Sequence, residues 1–174
     1  VENQTIYLKE IHYRVNDKSY FGIGFKNDSG GFEIRNKYSK ICLGKKDIST
    51  IKNGEGSLRI FEGFFDFLSF KNLEDNLQKK PSDYIILNSV SMIPKIKNLI
   101  QNYQKVELYF DNDNAGNRAV EMIKDAGENI EDCRILYKNH KDLNEFLMSW
   151  EMRKKDTGRE YEDLNKINTR KIGR

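Results

Sequence analysis

Apolar and polar positions divide the chain into two parts with different periodicities. Before residue 57, apolar residues alternate loosely with polar ones over residues 20–26 and again over 32–35, and a cluster of turn-forming residues lies between these segments. This pattern is typical of an antiparallel hairpin, and residues 40–43 predict a further short strand. We therefore predict a small, antiparallel, β-rich lobe over residues 1–56.

After residue 57, short apolar runs alternate with longer segments of helical periodicity. The runs predict strands at residues 58–61, 84–87, 106–110 and 133–137. The segments between them predict helices at residues 64–77, 93–100 and 115–126, and a last helix begins near residue 143. Strands separated by single helices imply right-handed crossovers and a parallel sheet. The predicted fold is therefore α/β, with a Rossmann-like parallel four-stranded sheet flanked by helices over residues 57–150.

The net positive charge of the chain is concentrated at the C-terminus. The 174 residues carry a net charge of +3, with 37% hydrophobic and 33% charged residues. Residues 151–174 hold eight Lys or Arg and five Asp or Glu, so the whole excess lies there. Because this segment lacks apolar periodicity, we predict a charged tail or helix extension. A phosphate-binding arm is the alternative.

Several classes of protein are disfavoured by composition. No apolar run is long enough to cross a membrane, and no signal peptide is visible. Two cysteines, Cys42 and Cys133, and two histidines do not have the spacing of a zinc site, so we expect free thiols in a cytoplasmic protein. The chain begins with Val, from which we expect a fragment of a longer protein or a processed chain.

Acidic residues follow three of the four predicted strands. Glu62 follows the first strand, Asp111 and Asp113 follow the third, and Asp142 follows the fourth. Because parallel strands end at the same edge of a sheet, these carboxylates should share one small volume. Clustered carboxylates repel one another, and a hard divalent cation such as Mg²⁺ relieves that repulsion. Asp113 also fits a helix N-cap, and Asp66 fits a first-turn helix acid.

The order of these motifs resembles the Toprim domain, which primases, topoisomerases, recombination proteins and some nucleases share. Glu62 matches its signature glutamate, and Asp111 and Asp113 match its D-x-D motif. Residues 140–145 resemble the primase segment that brings further acids to the metals, although Asn144 stands where an acid is often seen. The N-terminal lobe is similar to the small lobe of primase catalytic cores.

The whole chain resembles primase-like proteins of bacterial mobile elements, which often serve replication or mobilisation. That resemblance implies nucleotidyl transfer on DNA with Mg²⁺ or Mn²⁺, in which Asp111, Asp113 and Asp142 are metal ligands and Glu62 is a ligand or a proton acceptor. It implies single-stranded template DNA, nucleotides and a replicative helicase as partners, and no membrane. The basic residues expected to contact nucleic acid are Arg35, Lys37, Lys40 and Lys141.

Two other functions fit the same residues. A Toprim nuclease or topoisomerase would cleave strands with these acids, and a topoisomerase would also need a tyrosine nucleophile. A scaffold without catalysis would bind DNA only. Primases of this kind often carry a zinc-binding module upstream, and the chain holds none.

Overall fold

The computed structural model describes residues 2–127 and 129–157, and the side chains of residues 5–127 and 129–153. Within these ranges, strands β1 to β9 are Leu8–Val15, Lys18–Lys26, Phe32–Arg35, Lys40–Leu43, Ser49–Ile51, Ser57–Phe61, Asp83–Ile86, Lys105–Tyr109 and Ile130–Asp132. Helices α1 to α4 are Phe64–Leu73, Ile93–Ile100, Asn114–Lys124 and Leu143–Thr157. Short 3₁₀ helices occupy Glu2–Tyr7, Val90–Met92 and Cys133–Tyr137.

Strands β1 to β4 form one antiparallel sheet in their order along the chain. The predicted small antiparallel lobe is confirmed, but β1, in which polar residues make up half of the sequence and no residue is fully buried, was not predicted. Asn16 and Asp17 join β1 to β2 with φ angles of 47° and 60°. Two residues with positive φ make the tight turn whose twist suits a hairpin, so β1 pairs with β2 from Leu8 to Val15.

The second sheet has the strand order β5-β7-β6-β8-β9. Strands β6 to β9 run parallel to one another, which confirms the predicted four-stranded parallel sheet. Strand β5 adds a fifth, antiparallel strand at the β7 edge. Helices α1 and α4 bury their apolar residues on one face of the sheet, and α2 and α3 do so on the other. The result is the three-layer arrangement that the strand and helix alternation predicts.

One strand prediction was wrong. Residues 133–137 form a 3₁₀ helix, and the edge strand of the sheet is Ile130–Asp132 instead. The Asp132 carboxylate accepts a hydrogen bond from the backbone N–H of Arg134 at 3.1 Å, which ends the strand and begins the helix. Of the apolar positions that suggested a strand, Cys133 and Tyr137 are buried in the core and Leu136 packs against it, whereas Ile135 is exposed. The helix predicted over residues 64–77 also ends earlier, at Leu73.

Strand β5 and helix α4 bear on two of the predicted domain boundaries. Ser49–Ile51 hydrogen-bonds to the second sheet although it precedes residue 56, so the division of the chain at 56 remains a prediction. Helix α4 continues into the predicted tail as far as Thr157, and residues 158–174 lie outside the described part. Among the described helices, none combines the length and apolarity needed to cross a membrane.

Candidate metal centre

Three carboxylates meet at the edge where the parallel strands end. Asp66 comes from the first turn of α1, Asp111 follows β8, and Asp142 precedes α4. One oxygen of each lies within 4.8 Å of the others. Glu62 is next to them, since its Oε2 accepts a hydrogen bond from the Asp111 backbone N–H at 3.4 Å. Asp113 is outside this group of three.

Burial and mutual repulsion shift the titration of these acids. Burial, with the charges of Asp142 and Asp111, raises the pKa of Asp66 to about 8. Burial and the charge of Glu62 raise the pKa of Asp111 to about 6. Burial also raises the pKa of Glu62. The ionised cluster is therefore unfavourable without a cation, and its all-oxygen donor set fits Mg²⁺ or Mn²⁺.

The loop after β8 is built around a helix start. Asp113 Oδ1 accepts hydrogen bonds from the backbone N–H groups of Ala115 and Gly116, both at 2.8 Å, so the predicted N-cap is confirmed. A Cβ at Gly116 would lie only 2.0 Å from the carbonyl oxygen of Asp111. Glycine is required here because the backbone carrying Asp111 rests directly on the first turn of α3.

Asn112, between the two aspartates, ties this loop to the one that carries Asp142. Its side-chain amide donates to the carbonyl oxygens of Tyr137 at 3.0 Å and His140 at 2.8 Å. Its backbone N–H donates to the carbonyl oxygen of Lys141 at 2.6 Å. These bonds hold the two acidic loops side by side, which fixes the spacing between Asp111 and Asp142.

The acids line a cavity of about 230 Å³ together with basic residues from both lobes. Its charged lining consists of Arg35, Lys40, Glu62, Asp66, Asp111, Lys141 and Asp142. Burial and the neighbouring Arg35 charge lower the pKa of Lys40, and burial lowers the pKa of Arg35. A cavity with acids on one side and desolvated cations on the other suits a metal-bound polyphosphate.

A second group of possible ligands, Glu107, Glu131 and Cys133, does not fit a cation. Glu107 already receives Arg59, Lys79 and Lys105 at 2.6–2.9 Å. These partners lower the pKa of Glu107 to about 2 although burial opposes the shift. The negative charge is therefore balanced within the protein.

Comparison with protein families agrees with this geometry. Residues 59–147, more than half of the chain, match the family described as Toprim-like. The chain belongs to the Toprim-like family. Residues 1–44 of this Toprim-like chain match a second family, described as Domain of unknown function (DUF8464). A comparison with curated proteins found no match.

Two solved structures from bacteriophage T7 share the fold of the Toprim-like chain. The primase fragment of the T7 primase-helicase protein matches with a TM-score of 0.56 and 20% identity, over 83% of this chain and 63% of that one. A T7 lagging-strand DNA polymerase structure, with primase domains of two gp4 subunits bound to an RNA/DNA hybrid and dTTP, matches with a TM-score of 0.54 and 18% identity. This second match covers 83% of this chain and 78% of that one. The chain thus spans less than two thirds of the T7 primase fragment.

The Toprim-like chain brings most of the predicted site residues to one cavity. Of the expected ligands, Glu62, Asp111 and Asp142 line it, whereas Asp113 caps α3 beside it. Of the predicted basic contacts, Arg35, Lys40 and Lys141 line it, whereas Lys37 lines a separate hollow on the small sheet. Their roles remain predictions, and they are taken up below.

Asp66 is the member of the cluster that the predicted ligand set omitted. Its position four residues after Glu62 was visible, but a helix acid in the first turn has an ordinary explanation. The backbone N–H of Asn144 donates to Asp66 Oδ1 at 3.3 Å, and Ser69 Oγ donates to Asn144 Oδ1 at 3.1 Å. Asn144, which stands where the family often has an acid, therefore supports Asp66.

Proposed function

We propose that this chain is the catalytic core of a primase-like protein, which joins nucleotides on a single-stranded DNA template with Mg²⁺ or Mn²⁺. The observation that carries the proposal is the cavity in which Asp66, Asp111 and Asp142 lie within 4.8 Å of one another and which basic residues also line. Acids suit the metal, and cations suit the phosphates that accompany it.

The acids have two proposed roles, to bind the metal and to accept a proton. Asp66, Asp111 and Asp142 would hold a divalent cation, which would supply positive charge against the phosphate oxygens. Glu62 would be either a further ligand or the acceptor of the 3′-hydroxyl proton. Asp113 uses Oδ1 for both cap bonds, so Oδ2 is its proposed ligand atom.

The basic residues orient the substrate. Arg35 and Lys40 come from the small lobe and Lys141 from the loop before α4, so they approach the acids from different sides. Arg35 presents a planar fork that matches phosphate oxygens, and the lysines act as point charges. Held in this way, the α-phosphorus of an incoming nucleotide faces the 3′-hydroxyl.

The wider setting follows from the resemblances. The T7 relatives are a primase fragment of a primase-helicase and primase domains with an RNA/DNA hybrid and dTTP. We extend template DNA, nucleotides and a helicase partner to this chain on that basis. The sequence resemblance to primase-like proteins supports a bacterial mobile element and a cytoplasmic setting.

Strand cleavage is the second candidate function. A nuclease would use the same acids to activate water, so the cavity is compatible with it. A topoisomerase nucleophile is not favoured, because no tyrosine is among the described residues that line the acidic cavity. Tyr109, at the end of β8, is 1% exposed and packs in the core.

The test is template-directed synthesis by the full chain, joined to any upstream part of its protein. Single-stranded DNA, nucleotides and Mg²⁺ or Mn²⁺ should yield short oligonucleotides. Asp111→Asn should abolish the product and Glu62→Gln should reduce it at least about 100-fold, as expected for lost general base or metal ligation. Glu121→Gln, an exposed acid on α3, is the matched control and should leave synthesis unchanged.

Each alternative has its own outcome. Nicked or shortened DNA without synthesis would establish the nuclease and reject the primase. DNA binding with neither synthesis nor cleavage would reject catalysis and favour a scaffold. Full activity of Glu62→Gln would remove that residue from the mechanism.

A further inference from the structure

The small sheet carries a second, larger hollow that the proposed chemistry does not use. It has a volume of about 620 Å³ and is lined by β1, β2 and the turn after β3. Its apolar lining includes Phe21, Ile23 and Tyr38. Phe21 is 64% exposed and Tyr38 is 87% exposed. Several large apolar side chains exposed around one hollow indicate a binding surface.

Hydrogen bonds fix the backbone that carries the two exposed rings. Asn36 donates from its side-chain amide to the carbonyl oxygen of Phe21 at 3.3 Å. Its Oδ1 accepts from the backbone N–H of Tyr38 at 2.9 Å. The Phe21 ring also stacks on His12, with 6.0 Å between ring centroids. The rings therefore sit on an ordered frame, which lowers the entropic cost of binding.

Charge around the hollow is positive. Lys9, Arg35 and Lys37 line it, against a single acid, Glu10. A peptide occupant would have to supply several acids, whereas every nucleotide of a nucleic acid brings one negative charge. Exposed aromatic rings beside cations are the means by which proteins bind single strands with little sequence preference.

The hollow and the acidic cavity share one lining residue, Arg35. Its guanidinium carbon lies 5.4 Å from the centre of the Phe64 ring. A strand whose phosphates pass Arg35 would therefore run from the aromatic hollow to the carboxylates.

We propose that the hollow binds the bases of single-stranded DNA by stacking them on Phe21 and Tyr38, with Arg35 and Lys37 on the flanking phosphates. This inference rests on the proposed function, which supplies DNA as the occupant. It adds that the small lobe holds the template through its bases as well as through its backbone.

The experiment measures DNA binding by fluorescence anisotropy with EDTA, so that no metal-dependent chemistry occurs. The full chain is titrated against a labelled deoxyoligonucleotide and against an abasic strand of equal length. Wild-type protein should bind the strand with bases about 10-fold more tightly, and Phe21→Leu should lose most of that preference while binding the abasic strand as before. Tyr38→Leu should act in the same direction.

Three further variants complete the test. Phe21→Trp keeps a flat ring and should retain the preference, while Ile135→Ala, an exposed apolar residue elsewhere, should change nothing. Lys37→Gln should weaken binding to both strands and reduce the salt slope by about 1. Circular dichroism and thermal unfolding confirm that each variant folds.

Two results would overturn the inference. One is equal wild-type affinity for both strands, and the other is an equal loss on both strands in Phe21→Leu. Tighter binding of the corresponding oligoribonucleotide would reject DNA as the occupant. Because these measurements exclude metal, they are independent of synthesis: a chain that stacks bases but makes no product would reject only the primase activity.

Discussion

Replacing Asp66 with Asn should remove most of the pH dependence of stability between about pH 6 and 8 in the metal-free protein, above the pKa of Asp111. The pKa of Asp66 rises from its ordinary 3.8 to about 8 on folding, chiefly through burial. Between these values the folded chain keeps a proton that the unfolded chain has lost. Stability therefore falls as pH rises from about 4, and stops falling above about 8.

The expected size of the effect follows from that shift. Each pKa unit corresponds to about 1.36 kcal/mol, so a shift of about four units costs on the order of 5 kcal/mol by pH 8. Asn keeps the shape of the side chain and the Oδ1 acceptor for the Asn144 N–H. Asp47 and Glu107 do not interfere, because their pKa values near 2 make them lose stability only as pH falls below about 4.

The assay is urea unfolding in EDTA at several values between about pH 4.5 and 8. The wild-type curve should decline up to about pH 8, whereas the Asp66→Asn curve should level off above about pH 6, where Asp111 has ionised, so that the variant is the more stable protein at pH 8. Glu121→Gln, the exposed-acid control, should follow the wild type. Added Mg²⁺ should stabilise the wild type most at high pH, where protons no longer compete for the carboxylates.

Parallel curves for wild type and Asp66→Asn would refute the reasoning. They would mean that Asp66 is not confined among other acids in the folded chain. A wild-type protein that Mg²⁺ does not stabilise at pH 8 would separately count against the metal centre.

Three further substitutions test other contacts. Gly116→Ala should lower the free energy of unfolding in urea by about 1–3 kcal/mol and weaken Mg²⁺ binding in calorimetry, because its Cβ would lie 2.0 Å from the Asp111 carbonyl oxygen. Unchanged Mg²⁺ binding would show that the loop adjusts. Asn112→Ala should lower the free energy of unfolding by about 1 kcal/mol for each of its two side-chain hydrogen bonds, and should weaken Mg²⁺ binding about 10-fold. Asn102→Ala should change neither the stability nor the Mg²⁺ affinity. Arg59→Met should cost about 3–5 kcal/mol in urea unfolding, because it leaves Glu107 buried without its main partner. Replacing the exposed Lys105 with Met should lower the free energy of unfolding by less than about 1 kcal/mol. Equal losses in Lys105→Met and Arg59→Met would contradict the assignment of Arg59 as the main partner of Glu107.

The sequence predicted the parallel sheet well, because its strands are apolar runs and its helices have clear periodicity. Strands β6, β7 and β8 were each placed within a residue of their observed bounds. Failures lie where side chains from elsewhere decide the structure. Strand β1 is half polar, buries no residue fully and is defined by pairing with β2. Strand β5 is only three residues long and is defined by pairing with β7.

The acids of the candidate site were predictable from the sequence, but the packing that brings the basic residues to them was not. Residues after parallel strands must share an edge, so Glu62 and Asp111 could be placed together from spacing alone. Asp142 was expected there from a strand at 133–137 that is in fact a 3₁₀ helix, and it reaches the same edge through the loop before α4. The placement of Lys40 and Lys37 depends on how the small sheet lies against the larger one. That is a matter of packing between distant segments, in which Phe25 stacks on Phe64 with 5.3 Å between centroids, and no local pattern encodes it.

Strand β5 bears on how the chain can be divided for expression. It pairs through Ser49 and Thr50 with the edge of β7, a strand whose residues are all buried. A shortened chain that begins at residue 57, where the composition changes, would lack this cover. The bare edge of an apolar strand templates pairing with other molecules, so such a fragment should precipitate or form soluble aggregates. Starting ahead of residue 47 keeps the edge covered, and such a fragment should aggregate less than one that begins at residue 57.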